Sequence, residues 1–261
     1  MQYREISPSE RLSSVVVSFW EFAVPLGFPS PIVHEIMPDG CVSLFYIRNL
    51  ARRIHIVGLS GLYLEAVTKP IGAGDTIWGM RISPAVLSAV IAADGRRLFN
   101  TSYFGPDACP HLLGGLAEQL TVAGTLEEAA EILEKRVLLL IGEGFAPDRQ
   151  IADAVRTIEE RRGEVRVDEL AAMQGLSTRQ FQRRFQASSG LTPKQYIRTR
   201  RMRAAAVDLV ENRGRDWAGL AADLGFADQS HLAHEFNALT SRSPNSFAKK
   251  MYNIYHGKLV R

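Results

Sequence analysis

The sequence has only two cysteines in 261 residues, Cys41 and Cys109. A scaffold stapled by disulfides is therefore excluded, and a reducing cytoplasm is the compartment that fits. Histidine is sparse too, with six scattered residues, so no structural zinc site is expected. No apolar run approaches the roughly 20 residues that a membrane span needs. The opening stretch, Met1 to Arg11, carries charge early and has no long apolar segment behind it, unlike a secretory leader. There is no Gly-rich phosphate loop, and no Ser-His-Asp or Cys-His pattern with local support. The sequence thus reads as a non-enzyme with no metal, no cofactor and no membrane association.

What is present is ordinary globular composition, 46% hydrophobic and 23% charged. At roughly 100–200 residues per domain, the length suggests about two domains. The net charge of +3 conceals a split. Residues 1–150 hold 12 Lys and Arg against 16 Asp and Glu, a net of −4, whereas residues 151–261 hold 19 against 12, a net of +7. Such asymmetry fits a C-terminal half that meets a polyanion, although a solvated basic face fits charge alone equally well.

The first half reads as short strands broken by Gly and Pro. Leu12 to Phe22, Val42 to Ile47, Arg53 to Val57, Leu62 to Val67 and Thr76 to Ile82 are the candidates, in an antiparallel sheet, sandwich or barrel. Ile71 to Asp75 is expected to be a loop. Ser83-Pro84 offers an N-cap and a first-turn proline for a short helix to Ala93. A second helix is expected over Asp107 to Leu120. Thr125 and Glu128 form a capping box for a third, in which Leu126, Ala130, Leu133, Val137 and Leu140 follow heptad spacing. That stripe suits packing within its own domain or pairing with a second copy. Gly142 to Pro147 resembles a linker, and helices follow, with breaks at Gly163, Gly175, Gly190, Gly214, Gly225 and Ser241.

The last hundred residues contain an imperfect repeat. Phe185-x5-Leu191-Thr192-Pro193 has its counterpart in Phe236-x5-Arg242-Ser243-Pro244, offset by 51, and Phe181 matches Leu232. Leu170-Ala171 and Gly175 match Leu220-Ala221 and Gly225, offset by 50, so the second copy carries one extra residue in its turn. Each copy reads as helix, Gly-containing turn, helix, which is a helix-turn-helix. Between them, Thr192-Pro193-Lys194-Gln195 starts a connecting helix to about Val210. Its buried residues are expected to be Met202, Ala205, Ala206, Leu209 and Val210. Its exposed face is expected to carry Arg198, Arg200, Arg201 and Arg203. At about 27 Å such a helix can hold two units near one DNA turn, about 34 Å.

These residues make the chain recognisable. It resembles the AraC/XylS family of bacterial transcription regulators. The match lies in Ala171…Leu176-Ser177-x3-Phe181-x2-Arg184-Phe185-x4-Gly190-x-Thr192-Pro193-x2-Tyr196, in Arg201-x2-Ala204, and in Leu220-Ala221-x3-Gly225-Phe226-x-Asp228-Gln229-Ser230-x-Leu232-x3-Phe236-x7-Pro244. It covers about residues 150–250. Trp20, Pro38-Asp39-Gly40 and Gly79-x-Arg81-x-Ser83-Pro84 resemble some of the family's N-terminal domains. The departures are Ser241 for a usual Gly, Trp217 for a β-branched aliphatic residue, and Ala248 for a frequent Arg, with Lys249 and Lys250 following.

The expected fold is α+β. A β-rich domain over 1–145, for effector binding or dimerisation, is followed by an all-α DNA-binding domain over 146–261. Its two units lie at about 165–190 and 215–245, joined by the linker helix. Phosphates supply affinity and base edges supply sequence choice. With Phe181 and Phe185 buried, Arg179, Gln182 and Arg183 point outward, where the resemblance puts base contacts. Arg grips guanine and Gln grips adenine. In the second unit Gln229, Ser230, His231 and His234 are the outward residues, with Gln229 the best base reader. Thr178, Lys194, Arg198 and Lys249 are the expected phosphate contacts. Arg184 is either a DNA contact or a structural residue. His231 and His234 have metal-compatible spacing without a third ligand. Trp20, His34, Tyr46, Tyr63 and Trp78 are candidates for an effector pocket, or alternatively ordinary core. The partners implied are double-stranded DNA, RNA polymerase by resemblance, a small-molecule effector and a second copy in a homodimer. The alternative is a regulator without a small-molecule effector, controlled by a partner protein through the N-terminal domain.

Overall fold

The computed structural model describes residues 1–29, 31–142, 148–212, 216–240 and 242–255. Gly214, Ser241 and most of the expected linker lie outside the described residues, as do the side chains of Val210 and Lys250. The strands are β1 (Gln2–Ile6), β2 (Val16–Ala23), β3 (Ile32–Ile36), β4 (Val42–Asn49), β5 (Ile54–Ser60), β6 (Val67–Ile71), β7 (Thr76–Ile82) and β8 (Ser102–Phe104). Six of them build one antiparallel sheet in the order β1-β2-β7-β4-β5-β8. β3 and β6 pair with each other as a separate antiparallel ribbon.

Side chains alternate across a strand, and the ladder register shows which residues share a face. Phe19, Leu44, Tyr46, Val57, Leu59, Trp78, Met80 and Ile82 share one buried face. Over it lie the helices α1 (Leu87–Val90), α2 (Pro110–Leu113), α3 (Leu116–Leu120) and α4 (Leu126–Gly142). The heptad stripe of α4, Leu126, Ala130, Leu133, Val137 and Leu140, is buried in this core. Packing within its own fold is thus where that stripe goes. The opposite face carries Trp20, Phe22, Ser43, Phe45, Ile47, Ile77 and Arg81 toward the β3–β6 ribbon.

Several elements differ from the sequence reading. The helix expected over 107–120 is broken, because Gly115 adopts a left-handed φ of 67° between α2 and α3. The expected helix after Ser83-Pro84 shrinks to α1. β2 starts at Val16, with Leu12 in a preceding 3-10 turn. The strand expected at 62–67 runs over Val67–Ile71, and Leu62 makes only an isolated bridge to Phe99. β1 and β3 had no strong alternation to announce them.

The C-terminal part is helical: α5 (Arg149–Glu160), α6 (Val167–Met173), α7 (Thr178–Ser189), α8 (Pro193–Glu211), α9 (Trp217–Asp223), α10 (Gln229–Thr240) and α11 (Pro244–Tyr255). α6 and α7 flank Gly175, and α9 and α10 flank Gly225; both glycines have positive φ. Capping boxes start α7, from Ser177 and Gln180, and α8, from Thr192 and Gln195. The repeat extends to atomic detail. The Ser189 hydroxyl lies 2.8 Å from the Phe185 carbonyl and accepts the Leu191 N–H at 3.1 Å. The Thr240 hydroxyl lies 2.8 Å from the Phe236 carbonyl and accepts the Arg242 N–H at 3.2 Å. The two units differ in packing. Leu170, Phe181, Phe185 and Tyr196 belong to one core continuous with the sheet and its helices, whereas Met202, Leu220, Leu232, Phe236 and Phe247 form a core of their own.

Candidate functional site

The second helix of the first helix-turn-helix unit is α7. Phe181 and Phe185 are fully buried, with ring centroids 5.7 Å apart. Thr178, Arg179, Gln182 and Arg183 occupy the exposed opposite side. Among the described residues, neither the Arg179 nor the Arg183 side chain has an ion pair or hydrogen bond. Arg184 behaves differently. It is tied to Asp148 at 2.7 and 3.1 Å and to the Gln150 side-chain oxygen. Asp148 in turn caps α5 by accepting the N–H groups of Gln150 and Ile151. Arg184 therefore clamps α7 to α5.

The second helix of the second unit is α10. Leu232 and Phe236 are buried, and Gln229, Ser230, His231 and His234 are exposed. Asp228 caps this helix by accepting the His231 N–H at 2.7 Å. The His231 ring accepts the Ala227 N–H at Nδ1 and stands edge-on to Phe226. Asn237, one turn beyond His234, is also exposed. The sequence reading passed over it, although its i+3 position marks the same face. Among the described residues no group of three side chains forms a metal cluster.

Lys194 and Lys249 are exposed. Arg198 is partly engaged, bridging α8 to Glu235 of α10 at 2.5 Å. The rest of the expected arginine face turns inward. Arg200 pairs with Glu159 and donates to the Asp39 carbonyl at 3.1 Å. Arg201 donates to the Gly163 carbonyl and lies over the Phe226 ring. Arg203 lines the cavity described next. At about 100° per residue, positions 198, 200, 201 and 203 spread around the helix and cannot share one face.

Between the large sheet and the β3–β6 ribbon lies a cavity of about 430 Å3. Its apolar wall includes Trp20, Phe22, Ile36, Phe45, Ile47 and Ile77. This combination of apolar walls and a few charged groups suits a small molecule. Of the five candidate pocket residues, Trp20 and His34 line it. Tyr46 and Trp78 stack on each other at 5.8 Å on the opposite face of the sheet. Tyr63 stands behind the lining residue Ser102, its hydroxyl 2.6 Å from the Ser102 hydroxyl. The ladder parity separates Trp20 from Trp78, and that register was not readable from the strands singly.

An ionic network closes the cavity toward α8. Arg81 contacts Asp39 at 2.5 Å, Glu5 at 2.9 Å, and the hydroxyls of Ser18 and Tyr3 at 3.0 Å. Arg203 approaches Glu5 at 3.7 Å. Burial pushes the Glu5 carboxyl up, but Arg81, the Tyr3 hydroxyl and Arg203 outweigh it and hold the group at about 2. Asp39 is likewise kept below its usual range by Arg81 and Arg203 against burial. Gly40 follows, with φ 76° and the Tyr196 ring where a side chain would stand. Ser188 at the end of α7 donates to the Ala85 carbonyl at 2.7 Å. Gly190 packs on Gly95. The Pro38-Asp39-Gly40 and Ser83-Pro84 motifs therefore build the seam with the first helix-turn-helix.

The paired units, the exposed face of α7 and the cavity define a helix-turn-helix protein with a β-rich N-terminal module. A family described as "Helix-turn-helix domain" matches residues 170–250. A "Domain of unknown function (DUF6597)" matches residues 4–104. Residues 170–250 thus carry a helix-turn-helix domain, and the chain is similar to AraC-type transcription regulators. It is 27% identical over 158 residues to the probable transcriptional regulator LumQ of Photobacterium leiognathi, covering 57% of this chain and 63% of that protein. The match thus spans less than two thirds of that relative's length. An AraC-type transcriptional regulator structure from Chromobacterium violaceum is similar at 21% identity and TM-score 0.37, covering 39% of this chain and 91% of that one. ToxT from Vibrio cholerae is similar at 12% identity and TM-score 0.46, covering 95% and 98%. No described helix is long and apolar enough to cross a membrane.

Proposed function

We propose that the protein is a cytoplasmic, sequence-specific transcription regulator that reads two adjacent major-groove boxes. The observation that carries this reading is the N-terminal half of α7, where Arg179, Gln182 and Arg183 are exposed opposite the buried Phe181 and Phe185. A second unit of the same build is held by α8, whose 19 residues span about 28 Å. Thr178, Lys194 and Lys249 supply phosphate contacts, and Arg198 shares its charge with Glu235. Gln229, Ser230, His231 and His234 read the second box. RNA polymerase is the partner that the family resemblance implies. Selection from a random DNA pool by the full-length protein tests the reading. Two boxes about one helical turn apart are expected, with enrichment lost in Arg179→Ala/Arg183→Ala. A single box, or none, rejects two-unit recognition.

The cavity favours control by a small molecule over control by a partner protein. It lies between the sheet and the ribbon and is closed by Arg203 of the linker helix, so an occupant has direct access to the DNA-binding part. A compound screen read by melting temperature and Trp20 emission tests this. A hit whose effect is abolished by filling the cavity supports it. A chain that answers only to a protein partner replaces it. With the α4 stripe buried, any homodimer uses another surface.

A further inference from the structure

We propose that the Glu35–Arg242 ion pair sets the spacing at which the two helix-turn-helix units meet DNA. The β3–β6 ribbon thereby carries the state of the cavity to the second unit. The proposal rests on the two-unit reading above and adds the residues that fix the distance between the boxes.

The two units are held in different ways. The first is fused to the N-terminal part through a continuous core, through Ser188 on Ala85, Gly190 on Gly95 and Tyr196 on Gly40. The second has its own core. Its attachments include the Arg242 guanidinium on Glu35 at 2.6 Å, the Ala66 N–H on the Leu239 carbonyl at 2.7 Å, Met37 against its core, and α11 alongside β1. The grip falls on equivalent points of the repeat, since Ser188 and Leu239 are separated by the same 51 residues as the two phenylalanines. Glu35 is 8% exposed and contributed by β3, so Arg242 reaches a carboxylate sunk in the ribbon rather than a surface charge.

The ribbon is also a wall of the cavity. His34, Glu35, Ile36, Lys69, Pro70 and Ile71 line it. Among the described residues no ladder joins the ribbon to the six-stranded sheet, so it can shift without breaking strand pairing. The sheet opposite is anchored to the first unit. Material entering the cavity separates ribbon from sheet. Because Glu35 and Met37 ride on or beside β3, the second unit follows the ribbon, pivoting on the contact of α11 with β1 while the first unit stays. The quantity under control is the relative placement of the two recognition helices, and packed interfaces turn small shifts of this kind into discrete states.

The test uses the full-length protein and selected DNA in which the two boxes are separated by steps of one base pair. Wild type is expected to favour one spacing. Arg242→Gln should flatten that preference about fivefold, as a partly buried ion pair allows, with unchanged affinity for a single box. Ser60→Phe, and independently Ile47→Trp, fill the cavity without a ligand, and folding of each is checked by melting. Each should alter the spacing profile, and the alteration should vanish in the Arg242→Gln background. An unchanged profile in Arg242→Gln overturns the proposal, as does a filling effect that persists there. A wild-type protein indifferent to spacing would instead bring down the two-unit reading, and the proposal with it.

Discussion

Arg183 and Arg184 are neighbours on one helix, and the structure assigns them opposite consequences. Arg183 is exposed without a partner among the described residues, whereas Arg184 holds Asp148 at 2.7 and 3.1 Å. Arg183→Ala removes nothing that folds the chain, so its stability should change by no more than about 0.5 kcal/mol. Its loss should appear in DNA binding, at about 1–3 kcal/mol, and should relax preference at one base pair. Arg184→Ala should do the reverse. The pair is 38% and 28% exposed, so solvent screening reduces its worth to about 1 kcal/mol. Asp148 keeps its capping role, so α5 stays folded. The assay is urea unfolding of both variants beside competition binding to the selected site and to single-base variants of it. If Arg183→Ala weakens every sequence equally, its contact is with phosphate, and the assignment of that face to base reading is refuted. If Arg184→Ala loses base preference at full stability, the structural role of the clamp is refuted.

Gly40→Ala combines a left-handed φ of 76° with a β-carbon 2.6 Å from the Tyr196 ring. It should destabilise the full chain by about 2–4 kcal/mol in urea, against little change for Gly27→Ala, which meets nothing. Acid should loosen the seam through Glu5, whose folded value of about 2 lies below the ordinary 4.5. A depressed carboxyl stabilises the fold above its unfolded value and loses that stabilisation as pH falls toward the folded one. The contribution lost between pH 6 and pH 3 is at most about 2 kcal/mol, and Glu5→Gln should lack this component of the pH dependence of unfolding. Thr178→Val and Lys194→Ala should weaken specific and non-specific DNA alike, with Lys194→Ala lowering the salt slope by about one. A salt slope equal to that of wild type would remove Lys194 from the phosphate contacts.

The parts legible in the sequence were those set by local chemistry. Capping residues, turn glycines and the i, i+4 pair Phe181 and Phe185 place α7 and its outward side chains without reference to any other segment. The same holds for the repeat, because each copy carries its own turn. What escaped depends on distant partners. Arg200 and Arg203 look like a solvated basic face until Asp39 and Glu5, brought from the other end of the chain, meet them. Tyr46 and Trp78 share parity with each other, but which face of the sheet is the cavity face follows from the register with β2 and from where α4 packs. The ribbon was missed because β3 and β6 are short and carry Pro70 and charged residues, which blur alternation. Pro38-Asp39-Gly40 stands out as a motif, and the approach of Tyr196 together with the left-handed φ explains why a residue without a side chain is required there.

The alternation along β4 and β7 has a consequence for how the proposed small-molecule control can be retuned. Leu44, Tyr46, Trp78 and Met80 hold the scaffold from behind. Phe45, Ile47 and Ile77 shape the opposite chamber, and the seam is made by Gly40, Ser188 and Gly190. Volume-conserving exchange of the chamber's apolar residues, unlike the space-filling Ile47→Trp, therefore alters which molecule fits while leaving scaffold and seam in place. Chemical preference and mechanical output are, to that extent, separately adjustable. The exposed residues of α7 and α10 form a third set, so under the proposed function the effector and the DNA site can be changed independently of each other.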